Sequence, residues 1–344
     1  MQTDSSRGEV ALRPAMPTSS IEPGRLAAAK RAYTTRRIDL GAATRLLTAG
    51  IAPRPGDLVL ARVTRIGQHS GLQLPGGRRA TLFAGDEILV TYGNRYAPDQ
   101  FEARVPAHLG PCHLVAAGGI AAEARAWHSR MKRPTDIEPI GILANAAGQP
   151  VNLAAFRIPD DNVTPARLPG VIAVVGTAMN AGKTTAAAHL VRGLTARGLR
   201  VGAAKVTGTG AVGDVALLAD AGARTVVDFT DFGLASTYRV PTADVERVLR
   251  QAVVHAAQGA DAVVIEVADG LYQQETAALL KSATFRRIVT GVVFAAGDAM
   301  GAAAGVDWLE QRGLPVLAVS GALTASPLGI AEAAEATRLP VLGT

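Results

Sequence analysis

The sequence predicts an α/β fold: a doubly wound, mostly parallel sheet over residues 170–344, preceded by a smaller β-rich domain over residues 36–158. Three observations predict it. From Val171 onward, short apolar runs alternate with stretches of helical periodicity, the rhythm of strand–helix–strand units. Between Pro53 and Ile158 the texture is instead one of short β-prone runs separated by glycine-bearing turns. Residues 159–169, with Pro159, Asp160, Asp161, Asn162, Pro165 and Pro169, break both periods and read as a linker between the two.

Taken in order, residues 1–35 read as a disordered tail, because Ser, Thr, Pro and Gly punctuate them and no period of 2 or 3.6 persists. Ile38, Leu40, Ala43, Leu46 and Leu47 have helical spacing, and Gly50 closes the segment. Runs at 57–63, 72–74, 79–83, 87–92 and 113–116 predict strands of a small barrel or rolled sheet, with Pro75-Gly76-Gly77 as a hairpin turn. A further helix is expected over residues 120–131.

Two features of this region invite function and have plainer explanations. The run from Gly56 to Arg65 has the look of a strand in small oligonucleotide-binding barrels, but only Phe83, Tyr92, Tyr96 and Phe101 could stack on bases. A solvated charged face fits better, and nucleic acid is not expected as a partner. His108, Cys112 and His113 are metal-ligand types, yet no fourth ligand has recognisable spacing, so a buried thiol and structural histidines are expected.

In the second half, strands are expected at 171–175, 201–206, 225–228, 262–267, 288–294, 316–319 and 340–342. The first leads into Gly176-Thr177-Ala178-Met179-Asn180-Ala181-Gly182-Lys183-Thr184-Thr185, and then into a helix with Ala187, Leu190, Val191 and Leu194 on one face. A buried strand, a glycine-closed turn and a helix start is what a phosphate-binding loop requires. Unpaired amides at the helix start point at the anion, Lys183 reaches the β- and γ-phosphates, and the Thr184 hydroxyl can hold Mg²⁺. The glycine spacing is one longer than in G-x-x-x-x-G-K-[ST], with Thr177 in the usual first-glycine place.

Ligands of open α/β sheets sit beyond the carboxyl ends of the strands, which makes residues there functional candidates. Glu266 ends an apolar run where phosphate-loop proteins put a carboxylate for Mg²⁺; an acidic strand cap is the alternative. Lys205 ends another strand and could neutralise a carboxylate or phosphate near the transferred group. Asp214 is a second Mg²⁺ ligand or an N-cap. Thr207, Asp231, Ser236, Thr237, Asp269, Gln273 and Glu275 follow strands and are candidates for an acceptor site, with loop and capping roles as the alternative.

The loop from Gly176 to Thr184 resembles that of the dethiobiotin synthetase family and the related cobyrinic acid amide synthases, which share the same gap between glycines. Lys205, Asp214 and the run Glu266-Val267-Ala268-Asp269-Gly270 agree in order with further positions of that group. Val267 and Asp269 replace family glycines, Lys205 is not followed by proline, and the N-terminal half has no counterpart. The resemblance, confined to the C-terminal half, implies that Thr184 and two carboxylates bind Mg²⁺ while the lysines bind ATP and a carboxyl phosphate. It implies an enzyme that activates a small-molecule carboxylate or similar acceptor, as a ligase or kinase-like phosphotransferase; a homodimer is compatible with it.

No Asn-Lys-x-Asp guanine-reading sequence occurs, which favours ATP over GTP. The other class of function is a nucleotide-dependent switch or cofactor-biosynthesis accessory NTPase acting on a protein partner through the β-rich domain. With 344 residues and 48% hydrophobic content the chain can bury a large core. A net charge of +6, from 35 basic and 29 acidic residues, is a mild excess that suits phosphate-bearing ligands. One cysteine excludes an intrachain disulfide framework, and no apolar run is long enough to span a membrane, so a cytoplasmic protein is expected.

Overall fold

The computed structural model describes residues 17–160 and 168–343. The N-terminal half is built from strands β1 (Thr18–Ser20), β2 (Lys30–Arg31), β3 (Arg45–Leu47), β4 (Leu58–Arg65), β5 (Gly71–Gln73), β6 (Arg79–Thr81) and β7 (Glu87–Tyr92). They are followed by β8 (Arg95–Tyr96), β9 (Phe101–Arg104), β10 (Cys112–Ala116), β11 (Ile120–Trp127) and β12 (Thr135–Ala144). One short helix, α1 (Arg25–Ala28), lies near the start. Pairings β12–β4, β4–β7, β7–β11, β11–β10 and β10–β12 close a ring, the small barrel expected for this region. Successive side chains of a strand point to opposite faces, and β4 shows the result. Leu58 and Leu60 join one buried cluster with Leu89 and Leu143, while Val59, Ala61 and Val63 join another with Ile88, Val90 and Ile142. The expected hairpin is present: β5 pairs with β6 antiparallel, and Gly77 takes φ 86° in the turn.

Three local expectations are corrected. The helix expected after Arg37 is a 3₁₀ turn at Leu40–Ala42 and then strand β3, whose neighbours Leu46 and Leu47 enter different core clusters. The helix expected over residues 120–131 is strand β11, which is paired with β7, β9 and β10; tertiary pairing overrides the helix propensity of its alanines. Within the expected tail, residues 17–35 carry β1, α1 and β2, with Leu26, Ala32 and Tyr33 buried. Residues 1–16 of that tail, and 161–167 of the linker, lie outside the described residues.

The C-terminal half is a six-stranded, wholly parallel sheet of β13 (Gly170–Gly176), β14 (Val201–Lys205), β15 (Thr225–Asp228), β16 (Ala262–Glu266), β17 (Gly291–Ala295) and β18 (Val316–Ser320), in the order β15-β14-β16-β13-β17-β18. A seventh strand expected at 340–342 is a single parallel bridge between Val341 and Val319. Helices α2 (Lys183–Ala196) and α3 (Val212–Asp220) cover one face; α4 (Thr242–Ala256), α5 (Gln274–Lys281), α6 (Ala283–Ile288), α7 (Ala299–Glu310) and α8 (Pro327–Thr337) cover the other. Both faces are buried, so the strands read as continuous apolar runs: Val171, Ala173 and Val175 of β13 enter one core and Val174 the other. From β13 the chain moves outward on one side and, after β16, returns on the other, which opens a crevice at the carboxyl ends of β13 and β16.

The two halves are joined tightly. Tyr33 Oη donates to Asp228 Oδ2 at 2.8 Å, and Arg36 pairs with Asp231 at 2.6 Å and Asp228 at 3.3 Å. Gly118 packs so closely on the second half that a Cβ there would lie 1.9 Å from the Gly210 carbonyl oxygen.

Candidate functional site

The loop of residues 177–182 leaves β13 and ends where α2 begins at Lys183. Asn180 and Gly182 take left-handed φ of 64° and 92°, and a Cβ on Gly182 would press on Gly321 and Ala322 at 3.0 Å. Glycine suits both demands. A Cβ on Gly270 would stand 2.1 Å from the Thr177 carbonyl oxygen, so the loop after β16 shapes the phosphate loop from beside it. Lys183, only 6% exposed, donates from Nζ to the Ala178 carbonyl at 2.7 Å. Burial lowers its pKa, and Glu266 and Asp269 oppose that.

Four residues singled out in the sequence meet at the strand ends. Thr184 Oγ1 donates to Glu266 Oε1 at 2.9 Å; Lys205 stands 3.6 Å from the same oxygen and pairs with Asp214 in the first turn of α3. Glu266 is 2% exposed, and its second oxygen, Oε2, has no hydrogen-bond partner. Burial disfavours the Lys205 charge, but Glu266 and Asp214 hold its pKa above the usual lysine range. The orphaned Oε2 is where a cation would be accommodated. A hydroxyl and two carboxylates form a hard oxygen set that fits Mg²⁺, which takes few protein ligands and completes its shell with phosphate oxygens and water. Among the described residues no group of three or more His, Cys, Asp or Glu is placed to hold a metal ion.

These groups line one side of a cleft of about 550 Å³. Met179, Asn180, Gly182, Lys183, Thr184 and Thr185 line it from the loop and α2, with Lys205, Asp214, Glu266 and Asp269 beside them. Burial pushes the Asp269 carboxyl up to about 6, against the pull of Lys183 and Lys205. The other six acceptor candidates do not line this cleft. Thr207 Oγ1 accepts from Ala268 N at 2.8 Å, Thr237 Oγ1 from Gly208 N at 2.9 Å, and Ser236 Oγ from Tyr238 N at 3.2 Å. Asp231 closes a capping box with Asp228 and pairs with Arg36; Gln273 caps α5; Glu275 accepts from Arg239 N at 2.7 Å. Their polar atoms fasten the loops after the strands.

The opposite wall comes from the β-rich half and was not anticipated. His69, Gln73, Arg95, Tyr96 and Gln100 line it, with the backbone of residues 116–118. Of these side chains, only Tyr96 stands out in the sequence, as one of the few aromatics able to stack on a base. His108, Cys112 and His113 take no part: His113 Nδ1 accepts from Ala124 N at 3.1 Å, and burial pushes the Cys112 thiol up to about 12.

A buried parallel strand, a glycine-closed turn, a Lys-Thr helix start and a carboxylate ending the adjacent strand define a phosphate-loop nucleotide-binding fold. Several solved structures are similar to part of the chain. The 54 kDa protein of the signal recognition particle from Aeropyrum pernix K1, in complex with GDP, is 20% identical, with 56% of this chain and 46% of that one covered at a TM-score of 0.37. The signal recognition particle receptor FtsY from Elizabethkingia anophelis is 20% identical, with 50% and 56% covered at 0.35. Chloroplast FtsY from Physcomitrella patens is 15% identical, with 55% and 62% covered at 0.35. The match thus spans 46% to 62% of the length of these chains, and at such scores the class rests on the sheet order and loop geometry of this chain. No family model and no curated protein matches the sequence.

Proposed function

We propose that the chain is an Mg²⁺-ATP-dependent enzyme that activates a small-molecule carboxylate or similar acceptor by phosphoryl transfer, as a ligase, synthetase or kinase-like enzyme. The observation that carries this reading is the two-walled cleft: Lys183, Thr184, Lys205 and Glu266 lie on one side, and a separate set of polar side chains faces them across about 550 Å³. Such a volume suits a bound small molecule beside the phosphates.

In this reading Lys183 and the backbone amides entering α2 bind the terminal phosphates. Thr184, Glu266 and Asp214 hold Mg²⁺, which when bound offsets phosphate charge. Lys205 adds a buried positive charge near the transferred group. The acceptor oxygen forms a bond to the terminal phosphorus as the bond to the bridging oxygen breaks, and ADP leaves with that electron pair. Where the acceptor is a hydroxyl, Asp269, with its pKa near 6, takes the proton.

The test is phosphate release by the purified full chain against a panel of small acids, alcohols and amines, with products read by mass spectrometry. Stimulation by one member, lost in Lys183→Ala, is the expected outcome; wild-type turnover in Lys183→Ala would sink the reading. The second reading, a nucleotide-dependent switch acting on a protein partner, is favoured by one contact: Asn180 of the phosphate loop donates to Asp99 of the β-rich half. Stimulation by a protein and by no small molecule would select it.

A further inference from the structure

Arg95 lies on β8, in the β8–β9 hairpin whose turn residue Asp99 accepts from Asn180 of the phosphate loop. It lines the cleft and is nevertheless only 6% exposed. Nη2 donates to Gln100 Oε1 at 2.8 Å, and Nη1 lies 3.4 Å from His69 Nε2. The guanidinium carbon stands 6.0 Å from the Phe101 ring centroid. Burial, with Arg95 adding to it, pushes the His69 pKa down to about 3, so the ring is neutral and Nε2 can accept.

Among the described residues no carboxylate stands within ion-pair distance of Arg95, and its Nε is buried without a hydrogen-bond partner. Among the described residues Arg95 shares this with Lys183, which is as buried, has no ion pair and is the lysine that faces the phosphate site, whereas Lys205 is compensated by Asp214 and Glu266 and the less buried Arg36 by Asp228 and Asp231. Burial brings the Arg95 pKa down to about 10, with only Asp269 opposing, which still leaves it charged at neutral pH. A buried charge left unpaired is strongly destabilising. Two neutral acceptors hold the planar fork in place without neutralising it, and an arginine fork matches two oxygens of one anion.

We infer that Arg95, oriented by Gln100 and His69, is the oxyanion-binding residue of the wall facing the phosphate loop. It takes the oxygens of a carboxylate or of a phosphoryl group brought into the cleft. This deepens the proposed function, on which it rests for the identity of the anion: the acceptor's carboxylate or the nucleotide's terminal phosphate.

The experiment follows the Nε–H proton and nitrogen resonance of Arg95 in the full chain, assigned by its disappearance in Arg95→Lys. One arm adds a non-hydrolysable ATP analogue with Mg²⁺, and the other adds acetate. A shift of that resonance in the nucleotide arm identifies the phosphoryl oxygens, and a shift with acetate identifies a carboxylate. In the responding arm Arg95→Lys lowers affinity roughly tenfold by calorimetry, the loss of about one charge-assisted hydrogen bond. If neither probe moves the resonance while calorimetry registers nucleotide binding, the inference is overturned and the proposed function stands. If the nucleotide analogue gives no heat, the proposed function falls and the acetate arm alone decides for Arg95. Gln100→Leu, which keeps the charge and removes one holder, weakens binding in the same arm; unchanged affinity there would overturn the positioning role of Gln100.

Discussion

Lys205→Met tests whether the floor of the cleft is an internally compensated charge cluster. Methionine keeps the length and apolar stem of the side chain and removes the ammonium. Glu266 is then left with the Thr184 hydroxyl at 2.9 Å and no cation within ion-pair distance among the described residues. At 3.6 Å and an effective dielectric of about 20, the lost attraction is roughly 5 kcal/mol gross. Breaking a buried pair from one side costs about 3–5 kcal/mol net. A loss of about 3 kcal/mol corresponds to a fall of roughly 6–12 °C for a unit the size of the C-terminal half. Calorimetric melting and urea titration at neutral pH, without Mg²⁺, read this directly. Lys205→Met/Glu266→Gln removes the fully buried stranded charge, leaves only the more exposed Asp214 without its partner, and recovers most of the stability. Added Mg²⁺ should restore part of it to the single variant. A single variant within about 0.5 kcal/mol of wild type, or a double variant as unstable as the two singles summed, would refute the reasoning.

Three further outcomes are expected. Gly270→Ala forces a methyl group toward the Thr177 carbonyl, so nucleotide affinity measured by calorimetry should fall at least roughly tenfold for about 1–3 kcal/mol of lost stability; full affinity would show that the loop yields. The folded-state pKa of Asp269 is raised from 3.8 to about 6, so its contribution to stability is present below pH about 4 and is lost as pH rises through about 6. Asp269→Asn should therefore gain about 2–3 kcal/mol on wild type at neutral pH and little in acid, as read by urea titrations; a pH-independent difference would contradict this. Tyr33→Phe removes the 2.8 Å hydrogen bond to Asp228 that joins the halves, and melting should report a loss of about 1–2 kcal/mol, whereas an unchanged melting temperature would leave that contact without weight.

The parts of the site legible in the sequence are those that local order determines. A buried strand followed by Gly182-Lys183-Thr184 fixes the loop, and the last residue of a parallel strand necessarily faces the crevice, which is how Lys205 and Glu266 were found. The β-rich wall could not be found this way. Arg95 sits on a two-residue strand, and its place opposite Lys183 depends on the ring closure and on Gly118 meeting Gly210. Polar residues after strands were over-read for a related reason: a capping side chain and a ligand-binding one have the same composition, and only the partner distinguishes Asp231 from Asp269. Adjacent Leu46 and Leu47 fitted a helical stripe as well as a strand buried on both faces, and the pairing with β12 decided between them.

The closed ring also governs how this protein can diverge. Each of its five members is hydrogen-bonded on both sides, so an insertion or deletion inside one would break two ladders and turn alternate residues to the wrong layer. Loop residues outside the ladders carry no such penalty, and those at 97–100, the tip of the β8–β9 hairpin, are among them. Homologues that share the nucleotide half should therefore differ most in that hairpin tip and in the segment around His69, altering what the cleft admits while the barrel and the Lys205–Glu266 floor persist.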